Sequence, residues 1–344
     1  MTQIKKAKRF LLMIGASLIS LIVLYTIIYH YLGNRDFIVT NSYKQFLLQH
    51  TEGRRFIIDS GSNSFHGINT EMLEKELGIL TINLADNAGF PLNNKLLRIE
   101  EYSHSGDIVM LPLEWFYYTY SDVPGNFSEN ILGDLRHYYF YDSLFDEVLQ
   151  IWSSPFSSFR RGIKRHRKLI RKKNEYLKEH IEKFNNGERG TFNSIEPVTL
   201  EAEIKVSACD PFIFGKTLTE DFVLSEIFKK NVKTIKRLQK KRIKVFFTWP
   251  IVVGKDCYSK TNRKKIDHII HIIKNYIQEN GLTIIGSPYE NNFLEKDMLD
   301  TNYHIIPEAR EQRTKRLIMD IRQSTVYKWF EQNQAMSYSL DISL

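Results

Sequence analysis

From Phe10 to Leu32 the chain reads FLLMIGASLISLIVLYTIIYHYL, without a single Asp, Glu, Lys or Arg. A helix of this length crosses a hydrocarbon core of ~30 Å, and no face of it is polar enough to lie on a soluble surface. Lys5, Lys6, Lys8 and Arg9 precede the run, while only Arg35 and Asp36 follow it closely. The positive-inside rule then keeps residues 1–9 in the cytoplasm, makes 10–32 a transmembrane anchor and puts 33–344 outside, on the periplasmic or outer face of the cell membrane. A cleaved signal peptide has a shorter apolar core and a small-x-small site, so a single-pass anchor embedded in the bilayer is the expectation.

Beyond the anchor, strand-like and helix-like runs alternate. Arg55 to Asp59 is a short apolar strand that stops at a Gly/Ser turn. A helix over Asn69 to Gly78 follows, capped at its start by Asn69 or Thr70 and ended by Gly78. Leu80 to Leu84 is a second strand. Leu92 to His104 is a helix with Leu92, Leu96, Leu97 and Ile99 inward, and Asp107 to Leu113 is a third strand. The pattern resumes with a helix over Leu224 to Lys241, a strand over Ile243 to Trp249, a helix over Lys264 to Glu279 and a strand over Leu282 to Ile285. Repeated units of this kind predict an α/β fold with a five-stranded parallel sheet covered by helices on both faces. From about 119 to 220 the alternation fails, which predicts a large helical insertion within the same domain.

Parallel sheets bind ligands at the carboxyl ends of their strands. Ser62 follows the first strand there, in the turn Asp59-Ser60-Gly61-Ser62-Asn63-Ser64, with Ser60 and Ser64 as rival nucleophiles. His304 follows the fifth strand, in Asp300-Thr301-Asn302-Tyr303-His304, just before an amphipathic run from Pro307 to Arg322. A carboxylate that orients an imidazole, and an imidazole that takes a serine proton, are the parts of an acyl-transfer site. After the third strand come Glu114, Trp115, Tyr117 and Tyr118, whose acid and rings are candidates for binding sugar.

These blocks resemble the SGNH/GDSL hydrolase superfamily over about 55–118 and 240–322. The similarity is greatest to its membrane-anchored branch, which includes polysaccharide O-acetylation and teichoic acid D-alanylation proteins. The resemblance implies a flavodoxin-like domain that needs no cofactor and no metal. It makes Ser62 the nucleophile, His304 the general base and Asp300 the residue that orients His304. Through Asn83-Leu84-Ala85-Asp86-Asn87-Ala88-Gly89 it implies an oxyanion hole formed by the N–H groups of Ser62 and Gly89, with Asn87 a further candidate. The chain departs from the pattern in three places. The first block lacks its aspartate, Glu114 stands in a block that normally supplies Asn, and Asp300 to His304 is one residue longer than the common spacing.

The implied activity is a serine esterase or O-acyltransferase acting on acetyl groups of a cell-surface polysaccharide, with a multi-spanning acyl exporter as partner. Two alternatives stay open: a non-catalytic polysaccharide-binding or assembly factor on the same fold, and a lipid-facing esterase. The net charge of +8 is concentrated in Arg160 to Lys173, a run suited to a solvated helix face, to anionic glycan or to acidic headgroups. Leu144 to Phe156, just upstream, is apolar enough to rest on a bilayer. An extracytoplasmic domain excludes nucleic acid as partner. Cys209 and Cys257 are the only cysteines, and two alone fix neither compartment nor pairing.

Overall fold

The computed structural model describes residues 3–33, 42–86, 91–119, 222–253, 263–299, 301 and 303–331, with the isolated positions 179 and 182. The 119–220 insertion therefore lies almost wholly outside the described residues, as do the basic run, the 144–156 segment and both cysteines. Helix α1 (Gln3–Gly33) contains one span, Gln3–Tyr25, long and apolar enough to cross a membrane. Its length is roughly 34 Å at 1.5 Å per residue, and none of its most apolar window is buried against the rest of the molecule. Helix α2 (Ser42–His50) leads into the α/β unit.

Five strands form its sheet: β1 (Arg55–Ile58), β2 (Leu80–Asn83), β3 (Ile108–Leu111), β4 (Lys244–Phe247) and, after a short β5 (Val252–Val253), β6 (Thr283–Ile284). All pairings are parallel and the order is β2-β1-β3-β4-β6. Counted within the sheet this is 2-1-3-4-5, the flavodoxin-like strand order, whose direction reverses between β1 and β3. A separate pair joins β5 to β7 (Asn292–Phe293).

The strands are short and uniformly apolar because both faces are covered. Ile57, Ile82, Val109, Leu111, Val245 and Phe247 point into one core, which also takes the apolar stripes of α5 (Leu92–Tyr102), α6 (Glu226–Lys240) and α7 (Arg263–Glu279). Phe56, Ile58, Ile108, Met110 and Phe246 point into the other. There they meet α4 (Thr70–Leu77), α8 (Pro307–Gln323) and Phe330 of α9 (Lys328–Glu331). Alternation along each strand thus sorts neighbouring residues into two cores.

The expected helix ends are in place. Asn69 accepts from the Met72 N–H at 3.1 Å, and Gly78 ends α4 with φ 65°, a left-handed conformation that favours glycine. Two details differ from expectation. Leu97 is only partly buried, whereas Lys95 and Arg98 of the same helix are buried completely or nearly so. A six-residue helix, α3 (Ser62–Gly67), stands where the sequence indicated only a turn.

Candidate active site

Ser62 opens α3 directly beyond the carboxyl end of β1, and Glu114 lies just beyond that of β3, so the two flank the switch point of the sheet. They are connected. Glu114 is fully buried, and its two carboxylate oxygens accept the N–H groups of Gly61 at 2.9 Å and Asn63 at 3.2 Å. The first turn of any helix leaves N–H groups without intrahelical partners, and here an internal carboxylate takes two of them. The Ser62 N–H between them has no acceptor among the described residues. Burial raises the Glu114 carboxyl above its usual range, opposed by these hydrogen bonds.

The rest of α3 is fixed from three other sides. The Asn63 side chain donates to the Pro112 carbonyl at 3.0 Å and the Ser60 hydroxyl at 3.2 Å. Arg313 of α8 donates to the Asn63 backbone carbonyl at 2.7 Å and to Asn63 Oδ1 at 2.8 Å. Burial holds the Arg313 guanidinium down to about 9, with Glu114 pulling the other way. Arg313 can approach only because residue 67 is glycine: a Cβ there would overlap its guanidinium and the Ile251 side chain. Asn83, at the end of β2, donates to the Ser64 carbonyl at 3.0 Å. Ser60 and Ser64 are fully buried and bonded to each other at 2.6 Å, which removes both as accessible nucleophiles. Ser62 is partly exposed.

His304 arrives from the opposite end of the chain. Its loop is pinned by the antiparallel bridge Met298↔Ile305 and by the Leu299 N–H donating to the His304 carbonyl at 2.8 Å. The His304 ring lies 4.0 Å, centroid to centroid, from that of His66, with planes 35° apart. His66 stands four residues after Ser62 and therefore on the same side of α3. The neighbouring Tyr303 ties this loop to the end of β3 through a hydrogen bond with the Trp115 backbone. Burial, and then the Glu114 carboxylate, raise its phenol above the ordinary value. Asp300, Asn87 and Gly89 lie outside the described residues.

The expected sugar platform needs correction. Trp115, Tyr117 and Tyr118 are only 2%, 6% and 0% exposed. A 3-10 turn over Trp115–Tyr118 folds them inward, Trp115 against Trp249 at 5.5 Å and Tyr118 against Phe228 at 4.8 Å. Glu114 likewise offers no open surface. Glu114 is buried beneath the Ser62 turn, and the three rings are core.

Beneath the Ser62 turn lies a charge cluster that sequence reading missed. Asp59 pairs with Arg98 at 2.8 Å and sits 3.6 Å from Lys95. Lys95 also pairs with Asp86 and donates to the Ser60 carbonyl at 2.9 Å. Lys44 donates to the Ala85 carbonyl and lies 3.9 Å from the Phe65 ring centroid. Burial holds the Lys44 ammonium down to about 7 and raises the Asp86 carboxyl. A signal existed: Lys95 and Arg98 fall within the Leu92, Leu96, Ile99 stripe, where a solvated charge has no place. Among the described residues no three His, Cys, Asp or Glu cluster as a metal site.

Comparison with protein-family models, with curated proteins and with solved structures finds no match to this chain.

Proposed function

We propose that this chain is a membrane-anchored serine enzyme of the SGNH kind that transfers or hydrolyses a small acyl group, acetyl, on a cell-surface polysaccharide. The observation that carries the reading is the His304–His66 ring contact, which brings a histidine from the far end of the chain onto the helix that Ser62 opens. The position of that helix at the β1/β3 switch point supports it. The basic residues before the apolar helix support an extracytoplasmic domain.

In the proposed reaction, Ser62 Oγ attacks the acyl carbonyl as its proton passes to His304. The tetrahedral oxyanion is held by the Ser62 N–H, with Gly89 as second donor. Collapse breaks the ester bond, and the leaving alcohol takes the proton from His304. Water or a sugar hydroxyl then attacks the acyl-serine carbonyl, giving its proton to His304. The second collapse releases acid or acylated sugar and returns the proton to Ser62. Asp300 holds the imidazole tautomer throughout. A multi-spanning exporter is the proposed source of acyl groups.

A second reading, a non-catalytic assembly factor, is favoured by Glu114. Its carboxylate occupies two of the amide donors around Ser62, leaving fewer for an oxyanion. Cells carrying wild type, Ser62→Ala or no protein separate the readings when the base-released acetate of their surface glycan is compared. The enzyme reading expects acetylation to change in the same direction in both altered strains, falling if acetyl is transferred to the glycan and rising if it is hydrolysed from it. Acetylation kept with Ser62→Ala and lost without the protein supports the assembly factor. Glycan unchanged in its absence overturns both.

A further inference from the structure

Resting on the serine-enzyme reading, we propose that His66 is the residue that positions His304, acting through its ring face from the helix that begins with Ser62. A general base must be held at hydrogen-bond distance from its nucleophile with a tolerance of roughly half an ångström, yet His304 sits on a loop. Its backbone is held by the Leu299 N–H at the His304 carbonyl (2.8 Å) and by its own N–H at the Thr301 carbonyl (3.4 Å), contacts that place the main chain and leave the direction of the ring to what meets the ring. His66 has the opposite character. It belongs to a helix clamped by Glu114, Arg313 and Asn83, and Phe65 meets its ring edge-on at 4.9 Å.

The four-residue spacing from Ser62 to His66 is set by the helix, so any ring resting on His66 is registered to the nucleophile. A tilted ring-to-ring contact also suits the chemistry. A face contact uses neither ring nitrogen of His304. The relay asks one of those nitrogens to take the Ser62 proton and the other to meet a carboxylate. The carboxylate orients the imidazole about its nitrogens, while His66 fixes the plane in which it lies.

The test uses the full chain in detergent micelles, with histidine labelled at Cε1 for NMR and a fluorophosphonate probe for Ser62. The His304 signal is assigned by its loss in His304→Gln. His66→Ala is expected to move that signal downfield, because ring-current shielding disappears. It is also expected to lower the limiting labelling rate ~10²-fold, as for a misplaced catalytic group, with the half-saturating probe concentration within about twofold. His66→Phe keeps a flat ring and is expected to keep the upfield signal and to label within about threefold of wild type. An unmoved His304 signal and undiminished labelling in His66→Ala overturn the proposal. A folded His66→Phe as inert as His66→Ala also overturns it, and assigns His66 a proton-transfer role instead. Wild type that fails to label overturns the serine-enzyme reading, and the His304 signal then decides alone whether His66 holds that ring.

Discussion

Replacing Asp59 with alanine is expected to destabilise the α/β unit by about 3–5 kcal/mol, the cost of removing one partner from a buried ion pair. Asp59 is completely buried, three residues before Ser62, and its carboxylate meets Arg98 and Lys95. Without it, Asp86 faces Lys95, Arg98 and Lys44 without its companion carboxylate in a buried site. The guanidinium of Arg98 would lose its 2.8 Å partner and keep the longer contacts to the Leu84 carbonyl, at 3.3 Å, and Asp86, at 3.5 Å. For a unit of this size the loss corresponds to a fall of roughly 10 °C in melting temperature. Adding Arg98→Met to Asp59→Ala removes the stranded charge and is expected to recover a large part of the loss. Thermal unfolding of the four proteins of this cycle measures the coupling. Additive effects would contradict the pairing.

Glu114→Gln is expected to slow labelling of Ser62 by ~10²-fold, although it changes only an oxygen to an amide nitrogen. Both carboxylate oxygens accept backbone N–H groups, from Gly61 and Asn63. Glutamine offers one oxygen, so its NH2 group must face a second N–H. A buried donor left without an acceptor costs about 1–3 kcal/mol. The turn relieves this by shifting, and Ser62 lies between the two amides concerned. The limiting labelling rate, measured beside circular dichroism, separates a displaced nucleophile from an unfolded protein. A folded Glu114→Gln variant that labels at the wild-type rate would show that the cap does not set the serine.

The sheet was legible because β1, β2, β3 and β4 are apolar runs separated by helical periods, and burial on both faces leaves that signature in the residues themselves. Asn69 and Gly78 announced the limits of α4 through local capping chemistry. Helix α3 was not legible. Its sequence, SNSFHG, is poor in helix formers, and its shape depends on Glu114, Asn83 and Arg313, which are remote in sequence. For the same reason Glu114 looked like a misfit until the amides it accepts were in view. His66 passed unnoticed because the ring it meets is 238 residues further along the chain, at His304. Trp115 and Tyr118 misled in the opposite direction. Aromatic residues at a strand end serve equally as a platform or as a wall, and only the 3-10 turn that folds them onto Trp249 and Phe228 decides which.

The proposed reaction makes Ser62 a nucleophile served by His304. Its most direct measurement is covalent labelling of the full chain by a fluorophosphonate, with the adduct located by mass spectrometry of proteolytic fragments. The expected result is one adduct, on Ser62, absent in Ser62→Ala and strongly reduced in His304→Ala. An adduct on another residue, or a well-folded wild-type protein that stays unlabelled, would contradict it.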